Sequence, residues 1–221
     1  MTVKINADTS DGLKIVSDTS GAIDFQSNGV TKMSMDSSGN LTANSFVGVS
    51  EPSLVRLAGE TLTSDVSSIS FSTSVITTTY KTYILYSRLQ PKTDAARVIL
   101  RVNDNTGSEL ATINDYQAQV YRGGGTDFSD TTLSSIYPVS SSGNASGEYA
   151  YYKHEFSEVR ASDKKTTFLF QGTNISTTGN CAFVTGGGIC NVAEDNQGMR
   201  LLFTLGDIAS GSSYVLFGVK S

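Results

Sequence analysis

The segment YKTYILYSRLQPKTDAARVILRV, residues 80–102, decides the fold class because residues of two kinds alternate along both of its halves. One set is predicted to face a core: Tyr83, Leu85, Ser87, Leu89, Val98, Leu100 and Val102. The other set is predicted to face solvent: Ile84, Tyr86, Arg88, Arg97, Ile99 and Arg101. A period of two residues is the period of a β-strand with one buried face. The segment therefore predicts two strands of an antiparallel sheet.

The same alternation extends over most of the chain beyond this segment. Further strands are predicted at SSISFST (67–73), VITTTY (75–80), DYQAQVY (115–121), EYAYYKHEF (148–156), KTTFLFQG (165–172) and CAFVTG (181–186). The segments MRLLFTLG (199–206) and SSYVLFGVK (212–220) are predicted to form a terminal hairpin through DIASG. No stretch has the apolar period of 3.6 residues that a helix needs. We therefore expect an all-β protein whose larger part is an antiparallel β-sandwich or jelly-roll-like domain.

The N-terminal part repeats a shorter pattern, in which runs of alternating apolar residues are separated by turn sequences. The apolar positions are Leu13, Ile15, Ile23, Phe25, Met33 and Met35. Gly21, Gly29 and Gly39 mark the turns, since hairpin turns need residues with positive φ. The pattern predicts a β-meander whose six apolar side chains are too few for a core. We expect these six residues to form a prism-like interface among three copies of the chain, the alternative being that the meander adds strands to its own C-terminal domain.

A boundary between the two parts is predicted at GVSEPS, residues 48–53, where glycine, serine and proline come together. Residues 1–50 are then an assembly or docking segment, and residues 51–221 are the β-sandwich domain.

Composition and charge disfavour several classes of function. The formal net charge is −5, and the 16 Lys and Arg residues form no cluster, whereas proteins that bind phosphate backbones concentrate basic side chains. No run approaches the roughly 18 apolar residues that span a bilayer, and the N-terminus lacks the pattern of a secretory signal. We expect no nucleic-acid partner and no membrane insertion.

The residues that could carry chemistry form no recognisable catalytic or metal-binding pattern. His154 is the only histidine, and it shares an alternating face with Ala150, Tyr152 and Phe156, which indicates a structural histidine more than a catalytic base. The neighbouring acids Glu155 with Glu158 and Glu194 with Asp195 are typical of a solvated surface. We therefore expect a protein that is not an enzyme, with no catalytic residues, no metal and no cofactor.

Tyrosines near the Gly- and Ser-rich stretches offer a surface on which sugars could stack. The candidate glycan-facing loop residues are Tyr121, Arg122, Asp127, Tyr137 and Tyr149. The alternative for most tyrosines is that they suit half-buried strands.

The two cysteines, Cys181 and Cys190, bracket the glycine-rich segment CAFVTGGGIC. A disulfide across a hairpin is conceivable there, but we expect free structural thiols, since two cysteines define no disulfide framework.

Two parts of the chain resemble proteins of tailed bacteriophages. The run GLKIVSDTSGAIDFQSNGVTKMSMDSSGNLTANSFVG (12–48) resembles the repetitive segments that precede the distal domains of phage fibre proteins. The segments 80–102 and GMRLLFTLGDIASGSSYVLFGVK (198–220) resemble a β-sandwich domain of phage virion proteins.

The resemblance implies a homotrimeric structural protein on the virion surface, made and assembled in the host cytoplasm. Its implied function is that of a short fibre that contacts a host surface glycan, with the N-terminal segment bound to other virion proteins. Two alternatives stay open: a capsid decoration or head-fibre protein that stabilises the shell, and a depolymerase of surface polysaccharide.

Overall fold

A computed structural model of the chain describes residues 23–39, 41–43, 54–123, 128–136 and 141–220. The chain divides into two compact units, Met1–Glu51 and Pro52–Ser221. Every regular element among the described residues is a β-strand, and this confirms the all-β prediction.

The N-terminal unit contains a three-stranded antiparallel meander of β1 (Ile23–Ser27), β2 (Val30–Met35) and β3 (Leu41–Ala43), with β2 in the centre. Asn28 and Gly29 connect β1 to β2 with φ angles of 52° and 74°. Two consecutive positive φ angles define the tight turn whose twist suits a hairpin. The predicted meander is therefore present over these residues, whereas Leu13 and Ile15 lie outside the described part of the chain.

The C-terminal unit has eleven strands in the residues that the structure describes. They are β4 (Leu54–Thr61), β5 (Ile69–Phe71), β6 (Thr82–Leu89), β7 (Val98–Asn103), β8 (Tyr116–Arg122), β9 (Phe128–Leu133), β10 (Ala150–Ser157), β11 (Lys165–Ile175), β12 (Cys181–Ala193), β13 (Gly198–Phe203) and β14 (Ser213–Val219). The large sheet has the strand order β4-β14-β6-β10-β11-β12-β8-β9, and the small sheet has the order β5-β13-β7. All the pairings are antiparallel.

A common core joins the two sheets in a β-sandwich-like arrangement. It combines Phe71, Val102 and Leu201 of the small sheet with side chains of the large sheet. The rings of Phe71 and Tyr214 meet edge to face across the two sheets, with their centroids 5.5 Å apart. Because both sheets bury one face in this core, the opposite face of the large sheet is free to carry a site.

The predicted alternation is confirmed in β6, where Tyr83, Leu85, Ser87 and Leu89 are all buried. In β7 the prediction is wrong for Ile99, which is 3% exposed although it alternates with the core residues Val98 and Leu100. The small sheet is therefore covered on both faces at this position.

Two local predictions are wrong. Residues 75–80 form no strand, because the carbonyl of Ser72 accepts hydrogen bonds from the backbone N–H groups of Val75 and Ile76 and so closes a turn. The two C-terminal strands form no hairpin with each other: β13 belongs to the small sheet and β14 to the large sheet. The connection between them therefore crosses from one sheet to the other.

The segment CAFVTGGGIC lies within the single strand β12 and not in a hairpin. A Cβ atom on Gly186 would lie 2.5 Å from the carbonyl oxygen of Gln119 and 2.7 Å from the ring of Phe170. Close packing, and not a turn, therefore requires a glycine at position 186. Cys190 follows Cys181 by nine steps along an extended strand, which is roughly 30 Å and far beyond the reach of a disulfide. Both cysteines are free, as predicted.

Candidate functional site

The outer face of the large sheet, which points away from the core, carries three rows of side chains that run across the strands. The pairing register defines the rows. The first row is Ser213, Arg88, Tyr151, Thr173 and Phe183; the second is Val215, Tyr86, Lys153, Gln171, Thr185 and Tyr121; the third is Phe217, Ile84, Glu155, Leu169, Gly187 and Gln119. Alternation along each strand places these residues opposite the buried ones. Six neighbouring strands, in the order β14-β6-β10-β11-β12-β8, thus build one continuous surface.

Large apolar side chains stand exposed on this surface, where a merely solvated sheet would present polar ones. Tyr86, Tyr121, Tyr151 and Phe183 are each 43–47% exposed, and Leu169 is 61% exposed. They come from five different strands. A contiguous exposed apolar patch rimmed by polar groups is typical of a binding surface.

A groove of about 580 Å³ crosses the first two rows. Tyr86, Tyr151 and Phe183 supply its aromatic walls, while Gln171 and Thr173 offer amide and hydroxyl groups. A second depression of about 610 Å³ lies further along the sheet and is lined by Tyr121, Leu169, Thr185, Gln119 and Gly187, among others. A smaller depression between them shares Lys153 and Gln171 with the groove, and Leu169 and Thr185 with the second depression. The three hollows therefore adjoin one another across the strands.

Arg88 is held in place at the edge of the groove. Its guanidinium carbon lies 3.6 Å from the centroid of the Tyr149 ring, and its Nε donates a hydrogen bond to the Tyr151 hydroxyl at 3.3 Å. A second guanidinium nitrogen donates to the carbonyl oxygen of Gly211 at 3.2 Å. The hydrogen bond to Tyr151, as the largest cause, and the interaction with Tyr149 raise the pKa of Arg88 above its ordinary value. The groove thus has a positioned, permanent positive charge.

Lys153 supplies the second positive charge and is less restrained. Its Nζ lies 3.4 Å from a carboxylate oxygen of Glu155, two residues along β10 on the same face. The side chains of both residues are about two-fifths exposed, so solvent screens their attraction and the pair is a weak one. Lys153 can therefore turn toward a ligand in the groove.

The structure places two of the five predicted glycan-facing residues on the outer face of the large sheet. Tyr121 lies in the second row, and Tyr149 packs against Tyr151 with their ring centroids 6.1 Å apart. Both residues are at the outer face. Strands β11 and β12 lie between β10 and β8, so the strands β10 and β8 are roughly 14 Å apart.

Arg122 has an exposed side chain, but it pairs with the core residue Val184 and so belongs to the opposite face of the sheet from Tyr121. Asp127 and Tyr137 lie outside the described residues.

The sequence reasoning missed Tyr86, Arg88, Tyr151 and Phe183, which form most of the groove. A signal for them was present, because each aromatic residue occupies a solvent-facing position of an alternating strand. The prediction had placed the site in loops, whereas the exposed rings lie on the sheet.

No protein-family model, curated protein or solved structure matches this chain. Within the described ranges, no three His, Cys, Asp or Glu side chains group into a potential metal site. The same residues contain no helix that is long and apolar enough to cross a membrane.

His154 takes no part in the outer face. It is 2% exposed and points into the core, where its ring lies between those of Tyr152 and Phe170 at centroid distances of 5.6 and 6.3 Å. Burial lowers its pKa to about 4, because a charged imidazole loses its hydration there. The histidine is neutral at pH 7 and packs as a core residue, in keeping with its predicted structural role.

Of the neighbouring acids, Asp195 and Glu158 make structural contacts. Both carboxylate oxygens of Asp195 accept hydrogen bonds from the guanidinium of Arg160, one of them at 3.0 Å, and this lowers the pKa of Asp195. Glu158 pairs with Lys164 at 3.3 Å.

Proposed function

We propose that this protein is a short trimeric fibre of a phage virion, whose outer sheet face binds a glycan on the host surface. The observation that carries the proposal is the set of exposed rings from separate strands, with amide, hydroxyl and charged groups between them. The assignment to a virion rests on the resemblance of the two sequence segments to phage fibre and virion proteins.

The outer face has the chemistry that a carbohydrate ligand requires. A pyranose ring presents apolar C–H groups on its faces and hydroxyl groups around its edge. Tyr86, Tyr151 and Phe183 offer flat surfaces for the C–H groups. Gln171 and Thr173 stand beside them and can donate hydrogen bonds to hydroxyl groups or accept them.

The exposed apolar side chains of the N-terminal meander support the proposal that the chain forms a trimer. In its register Ile23 pairs with Met35, and Phe25 pairs with Met33, so that the four side chains share one face. Phe25 is 41% exposed and Met35 is 37% exposed. A three-stranded sheet with this few apolar side chains does not bury a core by itself. Three copies that join these faces would bury them, and three binding faces on one particle would strengthen weak sugar contacts through avidity.

The test compares single-ring variants for binding to host cells and to their purified surface polysaccharide. Tyr151→Ala and Tyr86→Ala each remove one ring from the groove, and we expect binding at least about 5-fold weaker for each, since a ring stack contributes about 1 kcal/mol. Leu205→Ala is the control, because Leu205 is 53% exposed but lies outside the three rows. Unchanged binding of both tyrosine variants would overturn the glycan-binding proposal.

Light scattering on the wild-type protein tests the assembly. A mass of three chains is expected, and Phe25→Ser should shift it toward one chain, because the substitution removes the largest exposed side chain of the meander's apolar face. A wild-type monomer would overturn the fibre proposal. Binding to empty capsids in place of cells would indicate a decoration protein, and release of reducing ends from the polysaccharide would indicate a depolymerase.

A further inference from the structure

We infer that the groove selects an acidic oligosaccharide and holds its carboxylate or phosphate group between Arg88 and Lys153. The inference rests on the proposed glycan-binding function and names the class of glycan. Both charged residues that line the groove are cations, although the chain as a whole has a net charge of −5. The positive charge is thus local to the groove and complements an anion.

The two cations stand on neighbouring strands on either side of Tyr151. Arg88 pairs directly with Tyr151 across β6 and β10, and Lys153 follows Tyr151 by two residues on the same face. Such diagonal neighbours lie roughly 7–8 Å apart. An acidic substituent on a sugar stacked against Tyr151 would lie beside the guanidinium, which contacts the Tyr151 hydroxyl. The ammonium of Lys153 would reach the same substituent by turning away from Glu155.

The rest of the outer face limits how much negative charge the ligand carries. Glu155 lies in the third row beside Lys153 and would repel a second acidic group. The residues that line the second depression, Tyr121, Gln119 and Thr185 among them, carry no charge. The distance from β6 to β8 is four strand spacings, or roughly 19 Å. The surface fits an oligosaccharide with an acidic sugar at the β6–β10 end and neutral sugars toward β8, and it does not fit a uniform polyanion.

The test measures affinity for matched pairs that differ only in charge: sialyllactose and lactose, trigalacturonate and its methyl ester, and a mannose phosphate disaccharide and its dephosphorylated form. We expect the wild-type protein to prefer the acidic member of at least one pair by about 10-fold, as one charged hydrogen bond would provide. Lys153→Gln should reduce that preference several-fold, because only Arg88 then faces the acidic group. Glu155→Gln should increase the preference, because it frees Lys153 and removes the repelling carboxylate.

Lys92→Gln is the matched control, since it removes the same charge from a surface pair with Asp65 that lies outside the three rows. It should leave the preference within 2-fold of the wild-type value, an expectation in line with the small effect of exposed ion pairs. Equal affinity for both members of every pair, or binding to none of them, would overturn the inference. Host-cell binding that still depends on Tyr151 would in that case leave the proposed function standing. A change of oligomeric mass in Lys153→Gln would also overturn the inference, because the face would then be an interface between copies of the chain.

Discussion

Two buried tyrosines, Tyr116 and Tyr152, differ in whether their hydroxyl groups are hydrogen-bonded. Replacing each of them with phenylalanine removes one hydroxyl and tests how much that group contributes to stability. Tyr116 is fully buried, and its hydroxyl accepts a hydrogen bond from the backbone N–H of Val102 at 2.8 Å and donates one to the carbonyl of Leu110 at 3.0 Å. These bonds join β8 of the large sheet to β7 and the segment that follows it. The hydroxyl of Tyr152 is also buried, but it has no hydrogen-bond partner among the described residues. The two hydroxyls should therefore contribute to stability with opposite sign.

Tyr116→Phe leaves the N–H of Val102 buried and unpaired, which costs about 1–3 kcal/mol. The carbonyl of Leu110 loses a partner as well, so we expect a loss of about 2 kcal/mol or more in the free energy of unfolding. Tyr152→Phe removes a buried polar group that makes no bond, so the free energy of unfolding should stay unchanged or rise by up to about 1 kcal/mol. Burial raises the pKa of both phenols, so neither ionises in the pH range of the measurement.

Urea titrations of the wild-type protein and of both variants measure the difference directly, provided that the dependence on urea concentration is the same in all three. Thermal unfolding should show Tyr116→Phe melting roughly 4–8 °C below the wild type, since 1 kcal/mol shifts the midpoint of a unit of this size by about 2–4 °C. Equal losses in the two variants, or no loss in Tyr116→Phe, would refute the hydrogen-bond argument. Such a result would mean that packing of the rings alone accounts for the stability.

Three further predictions concern other parts of the C-terminal unit. Gly188→Ala should cost about 1–3 kcal/mol, because its Cβ would lie 2.7 Å from Ile136 Cδ1 and would also collide with a backbone carbonyl; Gly123→Ala, whose nearest contact would be 3.8 Å, should be nearly neutral in the same urea titration. The pKa of His154 is about 4 when folded and near 6.5 when unfolded, so the unfolded chain takes up the proton first. Stability should therefore fall by about 2 kcal/mol from pH 7 to pH 5 through this group, and His154→Phe should remove that part of the slope. A thiol reagent should label Cys181, which is exposed, in the native protein, and Cys190, which is buried, only after unfolding, as peptide mass mapping would show.

Six of the eight strands of the large sheet, all except β4 and β9, could be predicted from the sequence because each of them buries one face. Tyr83, Leu85 and Leu89 alternate with solvent-facing residues, and this pattern depends only on the chain near them. The segment 75–80 has the same β-branched composition but forms a turn, in which Ile76 is fully buried. Strand propensity reflects the surface against which a residue packs, and a buried turn can satisfy β-branched residues equally well.

Pairing between strands could not be predicted, because the partners are distant in sequence. Strand β13 pairs with β5 and β7, which precede it by about a hundred residues or more, and not with β14, which follows it at once. Both candidate pairings satisfy the local alternation. The choice between them depends on which sheet each strand covers, and Leu201 and Leu216 enter the same core from opposite sheets.

The candidate site could not be predicted either, because its residues are also distant from one another in sequence. A single exposed aromatic residue such as Tyr86 is ordinary on a protein surface, and the sequence offers no link between it and Phe183 almost a hundred residues later. The register supplies the link, since Tyr86 lies opposite Lys153 while Phe183 lies opposite Thr173, in adjoining rows of one face.

The tripeptide of Gly186, Gly187 and Gly188 shows how one strand serves the core and the outer face together. Gly186 and Gly188 point inward, where a side chain would collide with Phe170 or Ile136, so their absence of a Cβ lets β12 approach the core closely. Gly187 points outward, and its missing side chain helps to open the second depression beside Tyr121. The three adjacent glycines therefore have different roles on the two faces of the strand. Only the sheet register separates the residues that stabilise the fold from the residue that shapes the surface.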